Sequence, residues 1–166
     1  MRNWPDEMVS RINCFDLQDW LPELAQWLDL NEEAFLPREA REEYVLRAPQ
    51  RGITLTFRHP HAGYSDMADV SRWILESAHF LSSSNLPFGL DVRAETLESA
   101  KHKLGSDTAG GLSRVSFFLP DFRVIDLAFG KSGQGIDEAR IVRLGRELSW
   151  NDLPPVLVRT AVRVRG

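Results

Sequence analysis

The chain has a single cysteine, Cys14, among its 166 residues. One thiol cannot close an intrachain disulfide, so a disulfide scaffold is excluded and a reducing compartment is expected. Long apolar runs are missing as well, and no stretch approaches the roughly 18 residues that span a bilayer. The opening residues, Met1-Arg-Asn-Trp-Pro-Asp-Glu7, lack the apolar centre of a signal peptide. A cytoplasmic chain without membrane contact is the expectation. Net charge is −4, which is not the footprint of a nucleic-acid binder. Cys14 can be a nucleophile, but a small half-buried filler is the ordinary role of a lone cysteine.

Catalytic and cofactor motifs are also lacking. Gly130-Lys131-Ser132 looks like the end of a phosphate loop, but Ile125 stands where the earlier glycine belongs. The segment after it reads as a strand, so no helix N-terminus is offered to a phosphate. Gly105–Gly111 lacks the strand-to-helix setting of a dinucleotide fingerprint, and no Gly-x-Ser-x-Gly elbow occurs. His59-Pro-His61 with Asp66 is the nearest approach to a metal or ligand site, with Glu98 and His102 one helical turn apart as a second. A zinc site needs three or four converging ligands, and neither group supplies them. His79 has no recognisable partner. No residue is assigned a catalytic role, and no metal or other cofactor is expected.

What the sequence does have is clear periodicity. A short helix is expected over 5–12, with Pro5 in its first turn. Leu17, Trp20, Leu21, Leu24, Trp27 and Leu28 fall on one face of a second helix, with Asp16 or Asp19 as cap. This is a core-packing stripe, and Pro22 is placed near its first turn. Tyr44–Ala48 and Gly52–Arg58 read as a hairpin around Pro49-Gln-Arg-Gly52. Ile53, Leu55 and Phe57 alternate with Thr54 and Thr56, as in a half-buried antiparallel strand. Asp69–Phe80 fits a strand. Thr96–Leu104 reads as a helix stopped by Gly105, without the acid of a full capping box. Arg114–Leu119, Arg123–Phe129 and Asp137–Leu144 read as strands, with turns at Pro120-Asp121 and Gly130–Gly135. In the strand Arg123–Phe129, alternation puts Asp126 on the exposed sheet face.

These elements suggest a repeat. Arg51-Gly-Ile-Thr-Leu-Thr-Phe57 matches Arg123-Val-Ile-Asp-Leu-Ala-Phe129, and Asp69-Val-Ser-Arg-Trp-Ile matches Asp137-Glu-Ala-Arg-Ile-Val. Each copy reads helix, strand, strand, strand. The expected organisation is one domain over 1–166, with copies at about 16–80 and 91–144, a linker at 81–90 and an extra strand at 156–165. The fold class is α+β: an antiparallel sheet from two helix-plus-three-strand repeats, with helices packed on one face. Charge is polarised along the chain. Residues 1–45 carry 11 acids and 4 bases, and residues 140–166 carry 6 bases and 2 acids. Intramolecular pairing, solvation or a polarised binding surface all suit this pattern.

A helix ending in Leu-Gly and followed by a three-stranded meander, used twice, resembles the tandem modules of β-lactamase inhibitor proteins. Outer-membrane assembly lipoproteins use one related module. Leu86-Pro-Phe-Gly-Leu90 through Leu97–Gly105 and into the strands is similar to a motif of small bacterial immunity proteins of type VI secretion and other polymorphic toxin systems. This chain departs in lacking a secretion signal and in carrying a basic tail. The resemblance implies a cytoplasmic protein that binds and neutralises a cognate toxin by occlusion, without chemistry of its own. The residues expected to face the toxin are Glu32, Glu33, Glu42, Glu43, Thr54, Thr56, Arg58 and Asp126. Two alternatives stand beside it: a small ligand- or metal-binding protein or enzyme using His59, His61 and Asp66, and a structural adaptor or homodimer joined through edge strands.

Overall fold

A computed structural model describes residues 3–12, 14, 17–31, 43–58, 73–82, 84–119 and 123–143. Helix α1 (Trp4–Arg11) has Pro5 in its first turn, where a missing N–H costs nothing. Asp6 and Glu7 lie at its positive end and Arg11 in its last turn, the signs that the helix dipole favours. Helix α2 (Leu17–Leu28) buries Leu17, Trp20, Leu21, Leu24, Ala25 and Leu28, as its spacing predicts. Trp27 is half-buried, and its ring stacks on Trp4 at 6.1 Å. Pro22 lies deeper than expected, inside α2 as its sixth residue. It removes the donor that Gln18 would use, but both residues are exposed, so water can reach the freed carbonyl.

Among the described residues seven strands follow: β1 (Glu43–Ala48), β2 (Ile53–Arg58), β3 (Ile74–Leu81), β4 (Thr108–Gly110), β5 (Arg114–Phe118), β6 (Arg123–Phe129) and β7 (Ile136–Arg143). Helix α3 (Leu97–Leu104) lies between β3 and β4. The strands form one antiparallel sheet in the order β1-β2-β3-β7-β6-β5-β4. Two meanders therefore meet where β3 pairs with β7. The β1–β2 turn contains Pro49–Arg51 and a left-handed Gly52. The Gly130–Gly135 segment is the turn of the β6–β7 hairpin, which is where its glycines place it. Strand β4 has no counterpart in the sequence reading. It is three residues long and ends in glycine, too short for any alternation to show.

The inward rows of the sheet include Leu46, Leu55, Ala78, Ile141, Ile125 and Phe117, then Ala48, Ile53, Phe80, Ala139, Leu127 and Val115. All are buried and belong to one cluster with Met8 of α1, Leu24 of α2 and Ala100 of α3. The three helices among the described residues thus share one side of the sheet. Residues 81–90, expected as a linker, send Leu86 and Leu90 into that core, and the buried Ser84 hydroxyl donates to Gly52 O at 2.6 Å. Phe88 takes a left-handed φ of 61°, and its N–H donates to Asp6 Oδ1 at 2.5 Å, tying this segment to α1.

One corner is held by a buried acid. Glu95 is 1% exposed. Its Oε2 accepts from the Asp91 N–H at 2.8 Å and from Lys103 Nζ at 2.7 Å, and its Oε1 accepts from the Ser99 hydroxyl. Its backbone carbonyl accepts from Gly135 N–H at 2.8 Å, joining α3 to the β6–β7 turn. Burial alone would raise the Glu95 pKa. Lys103, Ser99 and the Asp91 amide together outweigh burial and hold it below the usual range. Ser99 also completes a reciprocal capping box with Thr96, a role that the sequence reading reserves for an acid.

Candidate partner-binding face

The face of the sheet away from the helices carries a row that crosses six strands: Arg47, Thr54, His79, Arg140, Asp126 and Ser116. Its members share a face because each is the cross-strand neighbour of the next. Thr54 and Asp126, both expected in a partner site, stand in this row three strand spacings apart, roughly 14 Å. Thr56 lies in the next row, beside Val45, Ser77, Val142, Val124 and Phe118. Arg58 lies further along β2, with its Nε 3.1 Å from Glu76 Oε1. Glu43 is exposed at the start of β1. Glu32, Glu33 and Glu42 lie outside the described residues, as do His59, His61, Asp66 and the strand expected at 156–165.

Alternation turns Asp126 away from Ile125 and Leu127, as expected, but it is not exposed. It is 7% accessible, and its neighbour Ser116 is 1%. The reason is side-chain cover from adjacent strands. Arg114 Nε lies 3.0 Å from Asp126 Oδ2, and the Ser116 hydroxyl donates to Oδ1 at 3.2 Å. Arg114 reaches further with Nη2, which donates to Glu138 Oε1 at 2.7 Å. His79 Nε2 lies 3.1 Å from that same Glu138 oxygen, without hydrogen-bond geometry, so the two make an ion pair only when the imidazole is protonated. The Asp126 carboxyl is pushed above its ordinary range, first by burial and also by the Glu138 charge. Arg114, Ser116 and Arg140 oppose the shift without cancelling it.

The group therefore has mixed sign and uneven exposure. Arg47, Arg114 and Arg140 are exposed, Thr54, Thr56, His79 and Glu138 are half-buried, and Asp126 is buried. Such an arrangement can orient a partner through charge, since it offers cations around a shielded anion. Sequence reading missed Arg114, Glu138, Arg140 and the role of His79. Hairpin register alone was not enough: a turn at 130–135 pairs Phe129 with Ile136 and would set Ala139 opposite Asp126, and only the register shift between Ala128 and Phe129 brings Arg140 there.

The second cluster considered from sequence, Glu98 and His102, is exposed on α3, across the sheet from this row. With Ser99, Lys101 and Lys103 it lines an open hollow on the helix surface. Among the described residues, no three His, Cys, Asp or Glu side chains are grouped to hold a metal, and no helix is long and apolar enough to cross a membrane. Cys14 is half-buried, with its Sγ 3.7 Å from Ser10 O. Leu112, at the tip of the β4–β5 hairpin, is 85% exposed.

No protein family, curated protein or solved structure matches this chain.

Proposed function

We propose that this is a cytoplasmic immunity-type protein that binds a cognate bacterial toxin and covers its active site, using the outer sheet face as contact surface. One observation carries the reading. The described helices pack on one side of the sheet, while the other side presents Arg47, Thr54, Arg140, Arg114 and Glu138 across strands from one sheet edge inward. A flat face with exposed arginines suits an inhibitor that buries about 1,600 Å² in total around a few anchoring residues. Glu32, Glu33, Glu42 and Glu43 belong to the proposal as the acidic part that meets a basic toxin cleft.

The test is co-expression with the product of the adjacent open reading frame. The expected result is rescue from its toxicity and a complex that survives gel filtration. Arg47→Glu with Arg140→Glu is expected to weaken that complex on the order of a hundredfold. Glu98→Lys on α3 is expected to leave it unchanged. A neighbour that is not toxic, or a complex indifferent to the arginine reversals, sinks the reading.

We also infer that the sheet is an internal duplication. Both β2–β3 and β6–β7 break register just before the matched phenylalanine, between Thr56 and Phe57 and between Ala128 and Phe129. If β2 corresponds to β6 and β3 to β7, then Ala78 corresponds to Ala139 and Phe80 to Ile141, an offset of 61 residues that replaces the offset of 68 read from Asp69 and Asp137. Ala78 pairs with Ile141 and Phe80 with Ala139, so the two correspondences exchange as a two-fold axis at His79–Arg140 requires. Strand β4 is then an addition to the second copy. An experimental structure whose halves superpose best in a register other than Phe57 on Phe129 refutes the duplication.

A further inference from the structure

The two edges of the sheet are built differently. Strand β4 is a short edge of three residues, Thr108–Gly110, and Gly110 has a φ of 125°. Short, irregular edges discourage pairing with another chain. Strand β1 is six residues long and pairs with β2 without a register shift. Among the described residues, nothing pairs with its other side. Its interior lacks proline and glycine, and Pro49 stands just past its end. The outer edge of β1 is therefore a regular ladder of backbone donors and acceptors.

The side chains of β1 fit a second copy of the same strand. Glu43 and Arg47 are both exposed, on the same face, two residues either side of Val45. Neither has an ion-pair partner among the described residues. An antiparallel pair centred on Val45 sets each Glu43 opposite Arg47 of the second copy, giving two symmetric ion pairs. It also sets Tyr44 opposite Leu46 of the second copy on the inward face. Centring on Leu46 instead places Arg47 opposite Val45 and Glu43 opposite Pro49, and both charge pairs are lost. A half-step shift sets inward residues beside outward ones and breaks both faces.

We propose that β1 is a homodimerisation edge, with Val45 on the two-fold axis and Glu43–Arg47 pairs fixing the register. The dimer joins two sheets edge to edge. Two six-residue strands and their flanks bury less than the roughly 1,600 Å² of a standard interface, so association is weak and concentration-dependent. This proposal does not depend on a toxin partner.

Sedimentation velocity of the full chain, from micromolar to near-millimolar concentration, tests it. The native chain shifts from monomer toward dimer as concentration rises. Arg47→Glu and Glu43→Arg, each placing like charges opposite, weaken dimerisation on the order of tenfold or more. The double variant Glu43→Arg/Arg47→Glu regains it, because the swapped charges pair again. Far-ultraviolet circular dichroism of each variant confirms that the sheet is kept. A native chain that stays monomeric throughout overturns the proposal. So do single variants that dimerise like the native chain, or a double variant that remains as weak as the singles.

Discussion

Glu95 and Asp126 are both acids less than a tenth exposed, and their surroundings treat the charge in opposite ways. Glu95 accepts from an ammonium, a hydroxyl and a backbone N–H, and its carboxyl is held below its usual range. Asp126 is buried with one guanidinium and one hydroxyl, has a second acid nearby, and is held above its usual range. Burial by itself is therefore a poor guide to what an acid does. The count and charge of its donors decide whether ionisation in the fold is favoured. Around Glu95 the donors are Ser99 and Lys103 of α3 and the Asp91 amide of the loop before it, and the β6–β7 turn closes on the Glu95 carbonyl, which makes the acid structural. Around Asp126 the cations come from an open sheet face and reach outward to solvent.

Removing the better-served acid is the most direct way to break this contrast. Glu95→Ala leaves the Asp91 N–H and the Ser99 hydroxyl without their buried carboxylate acceptor, while Lys103 Nζ keeps only Gly89 O at 2.8 Å and solvent. It is expected to cost about 3 kcal/mol, read from urea unfolding. The same corner can be opened from the other side. A Cβ on residue 135 would lie 2.8 Å from Val92 O and 3.1 Å from Arg93 O, at a φ of 77°. Gly135→Ala is expected to cost about 2 kcal/mol, from clash and positive φ together. A corner variant that unfolds at the native denaturant midpoint would show that Glu95 is only incidentally buried.

The pH dependence of stability sharpens the comparison, because the two acids have opposite signs. The lowered pKa of Glu95 means that its contribution is present above its ordinary value of 4.5 and is lost as pH falls through the lower folded value. The native advantage over Glu95→Gln should shrink as the solution is acidified through that range. The raised pKa of Asp126 means that its contribution is complete below its ordinary value of 3.8 and is lost as pH rises through the folded value. Native protein and Asp126→Asn should therefore converge at low pH, and the variant should gain relative to the native chain as pH rises. Thermal unfolding of the three proteins between pH 3 and about 7 reads both trends. Parallel curves for the two variants would contradict the assignment.

The uneven legibility of these regions has a physical cause. The stripe of α2, the alternation of β2 and β6, and the Gly105 stop of α3 depend on residues close in the chain, so each leaves a pattern that can be read locally. The Thr96–Ser99 cap is local too, but the box with serine in the acid's place is chemically unusual enough to be passed over. The burial of Asp126 depends on Arg114 and Ser116, neighbours only through the β5–β6 register. The Glu138 partner of His79 depends on β3 finding β7 across more than fifty residues of chain. Strand β4 exists because β5 offers it an edge, not because Thr108–Gly110 prefers to be extended. Local periodicity thus specified the layers, while the polar group on the outer face arose from pairings that no short window contains.

The smallest expected effect tests whether the outer-face cations act on Asp126 at a distance. Arg140 is exposed and sits directly across from Asp126, yet it forms no ion pair with it of the kind that Arg114 does. Its pull on the Asp126 carboxyl is downward and acts through space. Arg140→Ala should therefore change stability by less than about 0.5 kcal/mol, as for most exposed substitutions. It should also raise the Asp126 pKa further, seen by following the side-chain carboxyl carbon in a nuclear magnetic resonance titration. Arg114→Ala should raise it more, because its nitrogen lies 3.0 Å from the carboxylate. Added salt should reduce the Arg140 effect before it reduces that of Arg114, since an exposed charge acting across solvent is screened more readily than a contact pair. If neither arginine moved the titration, Asp126 would be governed by burial alone, and the outer-face group would lose its claim to be an electrostatic unit.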